Sequence, residues 1–384
     1  MDLKLEAFKQ IDNSHEEMLQ LWADLVNVDC GSQLKAGVDS VADKIEAILQ
    51  SLGFKTRQVV NETAGNHLIA EYGDYSQPFL VMIGHMDTVF NKVGTCTERP
   101  FTIKDGKAYG PGCLDMKGGI TVMLSAIKAL LAQGYDKHPI KVILAGDEEA
   151  GHAHTNCPEV IQAECQGAMA AFNFETGFVD NGIVVGRKGV FAFNVECFGR
   201  AAHVGNDPQN GRSAIREIAH KVLDIENLTD WDREVSLNCG LISGGTAMNA
   251  TPDYAKVVCD MRFADPAILP EMKEKIKAIC DKQYGPDITT KLTEIITFTA
   301  MKQLDSTMEL FAKVNAVSEA EGFGTCTPKY VGGGSDSAYT TLAGVPTVCA
   351  MGVKGARNHT PEEWALVDSL FERAKLLIAV LVNI

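Results

Sequence analysis

The sequence predicts an α/β fold: a sandwich whose mostly parallel central sheet is flanked by helices, with an inserted ferredoxin-like α+β module. Three observations carry this. Short apolar runs rich in β-branched residues alternate with longer stretches of helical period over most of the chain. Residues 187–297 instead run strand-helix-strand-strand-helix-strand, the split βαβ order. And 384 residues exceed the usual size of one domain.

The elements follow in order. Residues 2–28 carry apolar positions at helical spacing (Leu5, Phe8, Ile11, Met18, Leu19, Trp22, Leu25), and 37–52 repeat the pattern with Val38, Val41, Ile45, Ile48 and Leu49. The apolar runs 67–71, 79–83, 140–145 and 168–174 suit strands buried on both faces. Between them, 117–133 reads as a helix stopped by Gly134. The inserted module comprises strand 190–198, helix 209–226, strands 235–242 and 254–263, helix 266–283 and strand 288–297. The outer pattern then resumes with helix 306–321, strand 346–350 and helix 362–382, the last started by Thr360-Pro361. The expected domains are therefore 1–186 with 298–384, and 187–297 inserted between them.

The formal charge of −15 repels phosphate backbones and anionic lipid surfaces, which argues against nucleic-acid or membrane partners. The longest apolar stretch is far short of the ~20 residues that span a bilayer, and MDLKLEAFKQID lacks an export pattern. Eleven cysteines stand singly, with no C-x-x-C pair, as expected of reduced thiols in a cytoplasm rather than a disulfide framework or a thiolate zinc site.

Chemistry-bearing residues gather where strands end. After 79–83 comes Gly84-His85-Met86-Asp87, an imidazole with a carboxylate placed to fix its tautomer; a plain His–Asp loop contact would look the same. Gly110-Pro111-Gly112-Cys113-Leu114-Asp115 presents an aspartate at a helix start, as a ligand or as an N-cap. Asp147, Glu148 and Glu149 follow strand 140–145, and three adjacent carboxylates repel one another unless cations relieve them or the loop is solvated. Glu175 ends strand 168–174, and His359 precedes the last helix. Two histidines with several carboxylates make a borderline-hard donor set suited to zinc, or to cobalt or manganese. The surplus carboxylate suits a two-metal hydrolase that also needs a general base.

GHMDTV, GPGCLDMKGG, GDEEAG, FET, GRAAHVG, NATPD, DMRF, GGGSDSAY and NHTPEEW stand in the order found in the M20 family of co-catalytic zinc metallopeptidases and deacylases, which this chain resembles over nearly its whole length. The SDSAY loop and the inserted domain are most similar to the glutamate carboxypeptidase branch. The resemblance implies two Zn2+ per chain, with Co2+ or Mn2+ as substitutes: His85 and Glu175 on one, Glu149 and His359 on the other, Asp115 bridging. It implies Glu148 as general base, Asp87 as the residue that orients His85, and a cis peptide after Asp115. His203 would serve as oxyanion donor in the partner's site, so the inserted domain would be a lid and dimerisation domain of a homodimer. Arg262 and Asn249 would hold a substrate carboxylate, with Gly333, Gly334 and Ser335 lining the site through backbone N–H groups. Glutamate in FET, where some branches carry aspartate, alters reach and leaves charge unchanged. The expected activity is hydrolysis of an amide bond next to a free carboxylate in a small peptide or N-acyl amino acid. Deacylation of N-acyl amino acids is the alternative, and a non-catalytic binding module on the same fold the remote one.

Overall fold

The computed structural model describes residues 2–384, and the chain divides into two compact units. The first comprises Met1–Gly186, Gln303–Tyr330 and Ser335–Ile384, and the second Arg187–Lys302 with Val331–Gly334. The second crossing falls after Lys302 rather than after 297, because the last strand of the second unit runs to Phe298 and Met301 still pairs with Arg187.

A six-stranded sheet organises the first unit, in the order Lys55–Val59, His67–Tyr72, Ile140–Ala145, Leu80–His85, Ala170–Asn173, Thr347–Val348. The last four pair in parallel and the first two are antiparallel additions. All six residues of Leu80–His85 and of Ile140–Ala145 are buried, as continuous apolar runs in a covered sheet require. Helix Gly118–Ala132 is apolar nearly all round and almost wholly buried, and it ends at Gly134, whose φ of 77° only glycine adopts readily.

Some elements differ from expectation. The N-terminal helical stretch is two helices, Leu3–Asn13 and His15–Val26, separated at Ser14. The final helix begins at Val367, not 362, because Trp364–Leu366 pairs as a strand with Lys107–Tyr109. That pairing belongs to a five-stranded sheet of two- and three-residue strands, too short for any period to be legible. In the second unit helix Ala214–Glu226 starts later than 209, at the Ser213 N-cap, whose side chain accepts the Arg216 N–H. Its four antiparallel strands take the order Ser236–Gly244, Tyr254–Phe263, Gly189–Phe198, Thr289–Phe298, with helices Ala214–Glu226 and Ile268–Asp281, the ferredoxin-like topology.

None of the eleven cysteines forms a disulfide, and every one but Cys239 is buried. Among the described residues no helix is long and apolar enough to cross a membrane.

Candidate active site

Strand register gathers the site. Leu80–His85 pairs in parallel with Ile140–Ala145, His85 opposite Ala145, and with Ala170–Asn173, Ile83 opposite Asn173. Three neighbouring strands therefore release Asp87, Asp147 to Glu149, and Glu175 at one carboxyl edge, where open α/β sheets carry ligands. Asp115 joins from the turn before Gly118–Ala132. That helix lies close against the segment after Ala170–Asn173 because it starts with two glycines: a Cβ on Gly119 would stand 1.8 Å from the Phe174 carbonyl oxygen. The Asp115–Met116 peptide is cis.

Two triads of donor atoms result. His85, Asp115 and Glu175 offer atoms within 4.8 Å of one another, and so do Asp115, Glu149 and His359. Asp115 belongs to both: Oδ1 lies 3.2 Å from His85 Nε2 and Oδ2 lies 3.1 Å from His359 Nε2. His359 Nε2 is also 3.2 Å from Glu149 Oε2, and His85 Nε2 is 3.8 Å from Glu175 Oε1. Glu149 Oε1 is buried with no hydrogen-bond partner among the described residues. Each triad offers one imidazole nitrogen and two carboxylate oxygens, a set that suits a divalent cation, and such a cation relieves both the orphaned oxygen and the carboxylate repulsion. The residues fit a metal centre.

Crowded charge shifts the proton affinities. Burial, with the charges of Glu175, Asp336 and Glu149, raises Glu148 well above the carboxylate range against the pull of His85. Burial and the Asp115 charge push Glu149 up to about 7. Burial disfavours a charged His85, yet hydrogen bonds to Asp115 and Asp87 outweigh it and hold the imidazole well above its ordinary value. Hydrogen bonds to Asp115 and Glu149 raise His359 to about 11.

Asp87 has two tasks. His85 Nδ1 lies 3.1 Å from its carbonyl oxygen and 3.4 Å from its Oδ1, so both the backbone and the side chain orient the ring. The carboxylate also accepts the backbone N–H groups of Glu148 and Glu149, each at 3.1 Å, and the Ser32 hydroxyl at 2.6 Å. It thereby ties the turn carrying Glu148 to the strand carrying His85.

Sequence reasoning missed three supports. Asn358 Nδ2 donates to Asp115 Oδ2 at 3.0 Å. Glu363 accepts backbone N–H groups of Gly112, Leu114 and Asp115 at 3.0, 2.8 and 2.9 Å. Both flank His359 in the NHTPEEW motif, and that adjacency was the available signal. His152 bridges Asp147 Oδ1 through Nδ1 at 2.9 Å and Asp336 Oδ1 through Nε2 at 2.7 Å, with nothing in the local pattern to announce it.

Of the remaining expected residues, Ser335 is fully buried in the first unit. Its Oγ accepts from Asn173 Nδ2 and the Ser337 N–H and donates to Ser337 Oγ, so the hydroxyl is committed to the interior and the backbone N–H is what the residue has to offer a site. The others lie in the second unit. Exposed His203 accepts the N–H groups of Gly205 and Asn206 on Nδ1, which leaves its proton on Nε2. Exposed Asn249 accepts the Val204 N–H on its carbonyl. Arg262 grips Asp260 through Nε and one terminal nitrogen at 2.7 and 2.8 Å and donates to the Gly332 carbonyl at 2.9 Å. The carbonyls of Gly333 and Gly334 accept from Arg187 at 3.2 and 3.1 Å.

The chain is similar to proteins of known family. A model of peptidase family M20/M25/M40 matches residues 81–383. Carboxypeptidase G2 of Pseudomonas sp. (strain RS-16) is 27% identical over 357 residues, covering 92% of this chain and 85% of its own length. Succinyl-diaminopimelate desuccinylase of Psychrobacter arcticus is 27% identical over 330 residues, covering 80% of this chain and 79% of its own. Among solved structures, the M20 family metallo-carboxypeptidase Sso-CP2 from Sulfolobus solfataricus superposes with a TM-score of 0.76 at 17% identity, covering 96% of this chain and 99% of that one, a likeness of fold.

Proposed function

The chain belongs to peptidase family M20/M25/M40, a family of metal-dependent hydrolases, and from that premise we propose that it hydrolyses an amide bond next to a free carboxylate. The product would be a C-terminal amino acid such as glutamate, released from a small peptide or an N-acyl amino acid. The observation that supports this is the position of Glu148: buried at the same strand edge as both donor triads, held through its backbone by Asp87, yet a member of neither triad. A carboxylate so placed is free to move protons.

Two zinc ions would be held by His85 and Glu175 and by Glu149 and His359, with Asp115 shared, and when bound they would lower the pKa of a water and polarise the scissile carbonyl. Glu148 would accept the proton of the attacking water and pass it to the departing amine. His203, with its proton on Nε2, donates to the tetrahedral oxyanion. It does so from a partner subunit, in a homodimer formed through residues 187–297. Arg262 has five N–H donors, of which Asp260 and Gly332 take three, leaving two for the substrate carboxylate. Asn249 and the Gly333-Gly334 backbone would flank that carboxylate. A net acidic chain without disulfides suits a cytoplasmic enzyme.

The desuccinylases among the relatives favour a second reading, deacylation of N-acyl amino acids. The deciding experiment offers zinc-loaded enzyme a panel of dipeptides, N-acyl amino acids and folyl-glutamates, each paired with its carboxyl amide. Turnover that collapses when the free carboxylate is amidated supports the proposal, and the preferred panel member separates peptidase from deacylase. Equal turnover of acid and amide would overturn it.

A further inference from the structure

The second unit carries a pair of facing thiols that the proposed hydrolysis does not use. Cys239 on Ser236–Gly244 and Cys259 on Tyr254–Phe263 are direct partners in antiparallel register, and their sulfurs lie 3.5 Å apart in hydrogen-bond contact. The Cys239 N–H points away from the neighbouring strand and donates to Glu226 Oε1 at 3.2 Å. This marks a non-hydrogen-bonded pair, the class in which opposite Cα atoms stand about 4.5 Å apart and side chains come closest. Disulfides need Cα separations of roughly 4.4–6.8 Å, so backbone and sulfurs are both within range, and side-chain rotation can bring the sulfurs to about 2.05 Å.

We infer that Cys239 and Cys259 form a site of reversible oxidation, closing an intrachain disulfide when the protein meets a peroxide. Burial sorts the two roles. Cys239 is half-buried on the edge strand of its sheet, whereas Cys259 is 1% exposed in the core. A peroxide therefore reaches Cys239 first. The hydrogen bond between the sulfurs also lowers the Cys239 pKa and, with burial, raises that of Cys259, which favours thiolate on the accessible partner.

The chemistry balances in two steps. The Cys239 thiolate attacks one peroxide oxygen, the O–O bond breaks, and a sulfenic acid and hydroxide result. The Cys259 sulfur then attacks the Cys239 sulfur, the S–O bond breaks, and the hydroxyl leaves as water with the Cys259 proton. Two electrons have passed from the sulfurs to the peroxide. A thiol reductant reverses the product. The register shifts between Cys239 and Leu241, so the bridge would pin the edge strand beside its irregularity, upstream of the segment that carries Asn249. Neither thiol belongs to the proposed catalytic or substrate-binding residues.

The test uses the full-length protein, freed of reductant and treated with hydrogen peroxide at graded concentrations. Remaining thiols are alkylated with a maleimide under denaturing conditions and counted by intact mass, followed by peptide mapping. The expected result is loss of two of the eleven alkylatable thiols, a mapped Cys239–Cys259 peptide in the monomer, and full recovery with dithiothreitol. Cys259→Ser should abolish the cross-link while Cys239 still oxidises. Three results would overturn the inference: persistence of all eleven thiols at every peroxide concentration, stable oxidation of Cys239 without the cross-link, or first bridging elsewhere. The wild-type peptide map decides the question alone if the variant fails to fold.

Discussion

Glu363 holds the backbone of Asp115 from behind: its Oε1 accepts the Asp115 N–H at 2.9 Å, in a site where both residues are buried. The same carboxyl takes the N–H groups of Leu114 and Gly112. Burial and the Asp115 charge raise Glu363 to about 7, while the three backbone bonds pull the other way. The arrangement fixes the turn whose aspartate faces both His85 and His359.

Replacing Glu363 by alanine should therefore cost stability and metal affinity together. Each orphaned buried N–H costs about 1–3 kcal/mol, and loss of such an outer support typically weakens metal binding by about 10–100-fold. Glu363→Gln, which keeps an acceptor, should fall between wild type and alanine. Calorimetric melting with and without metal, plus competitive zinc titration, measures both. Unchanged zinc affinity in the alanine variant would contradict the positioning role.

His152 should behave as a strut. It is buried between Asp147 and Asp336, and although burial disfavours its charge, the two carboxylates hold it well above the ordinary imidazole range. Removing one partner of a buried ionic group costs about 3–5 kcal/mol, and His152→Ala leaves two. Because Asp147 adjoins Glu148, kcat should fall more than KM rises. A melting temperature and kcat equal to wild type would refute this.

How much of this was legible beforehand depended on span. The runs Leu80–His85 and Ile140–Ala145 were readable because burial on both faces demands unbroken apolar sequence over six residues. The His85 and Glu148-Glu149 positions were readable because strand exits in such a sheet converge, and Asp115 because a glycine-rich turn presents it at a helix start. Trp364–Leu366 was not, since three residues cannot display a period and their partner lies some 250 positions away in the chain. Glu363 was signalled only by sharing a motif with His359, and His152 was hidden for a related reason: its partners are fixed by tertiary contact, so a loop histidine looks ordinary in sequence.

Metal analysis of zinc-replete protein should return two ions per chain. Chelation should abolish turnover and lower the melting temperature, since a ligand at 100 times its Kd stabilises the native state by about 2.7 kcal/mol. Alanine at His359 or Glu175 should remove one ion while leaving the other. One ion in the wild type, with His359 and Glu149 dispensable, would contradict the shared role of Asp115.

Glu148→Gln keeps size and hydrogen bonding but cannot accept a proton. Turnover should drop by about 10²–10⁴, with zinc content unchanged. Activity within tenfold of wild type would exclude Glu148 as the base.

The final prediction concerns the proposed homodimer. His203 belongs to the second unit and the donor triads to the first. If His203 serves the partner's site, each active centre draws Glu148 from one chain and the imidazole from the other. Chains carrying His203→Ala and chains carrying Glu148→Gln should then be nearly inactive separately. After subunit exchange, a mixed dimer holds one centre that combines an intact Glu148 with the partner's intact imidazole, and the other centre lacks both. Half of the chains in a fully exchanged equimolar mixture enter such hybrids, so activity should return to about a quarter of wild type. Sedimentation fixes the oligomeric state, and differently tagged chains report the exchange. If exchange is demonstrated and activity stays at the level of the separate variants, or if the wild-type monomer is fully active, His203 acts within its own chain and the dimer is not needed for catalysis.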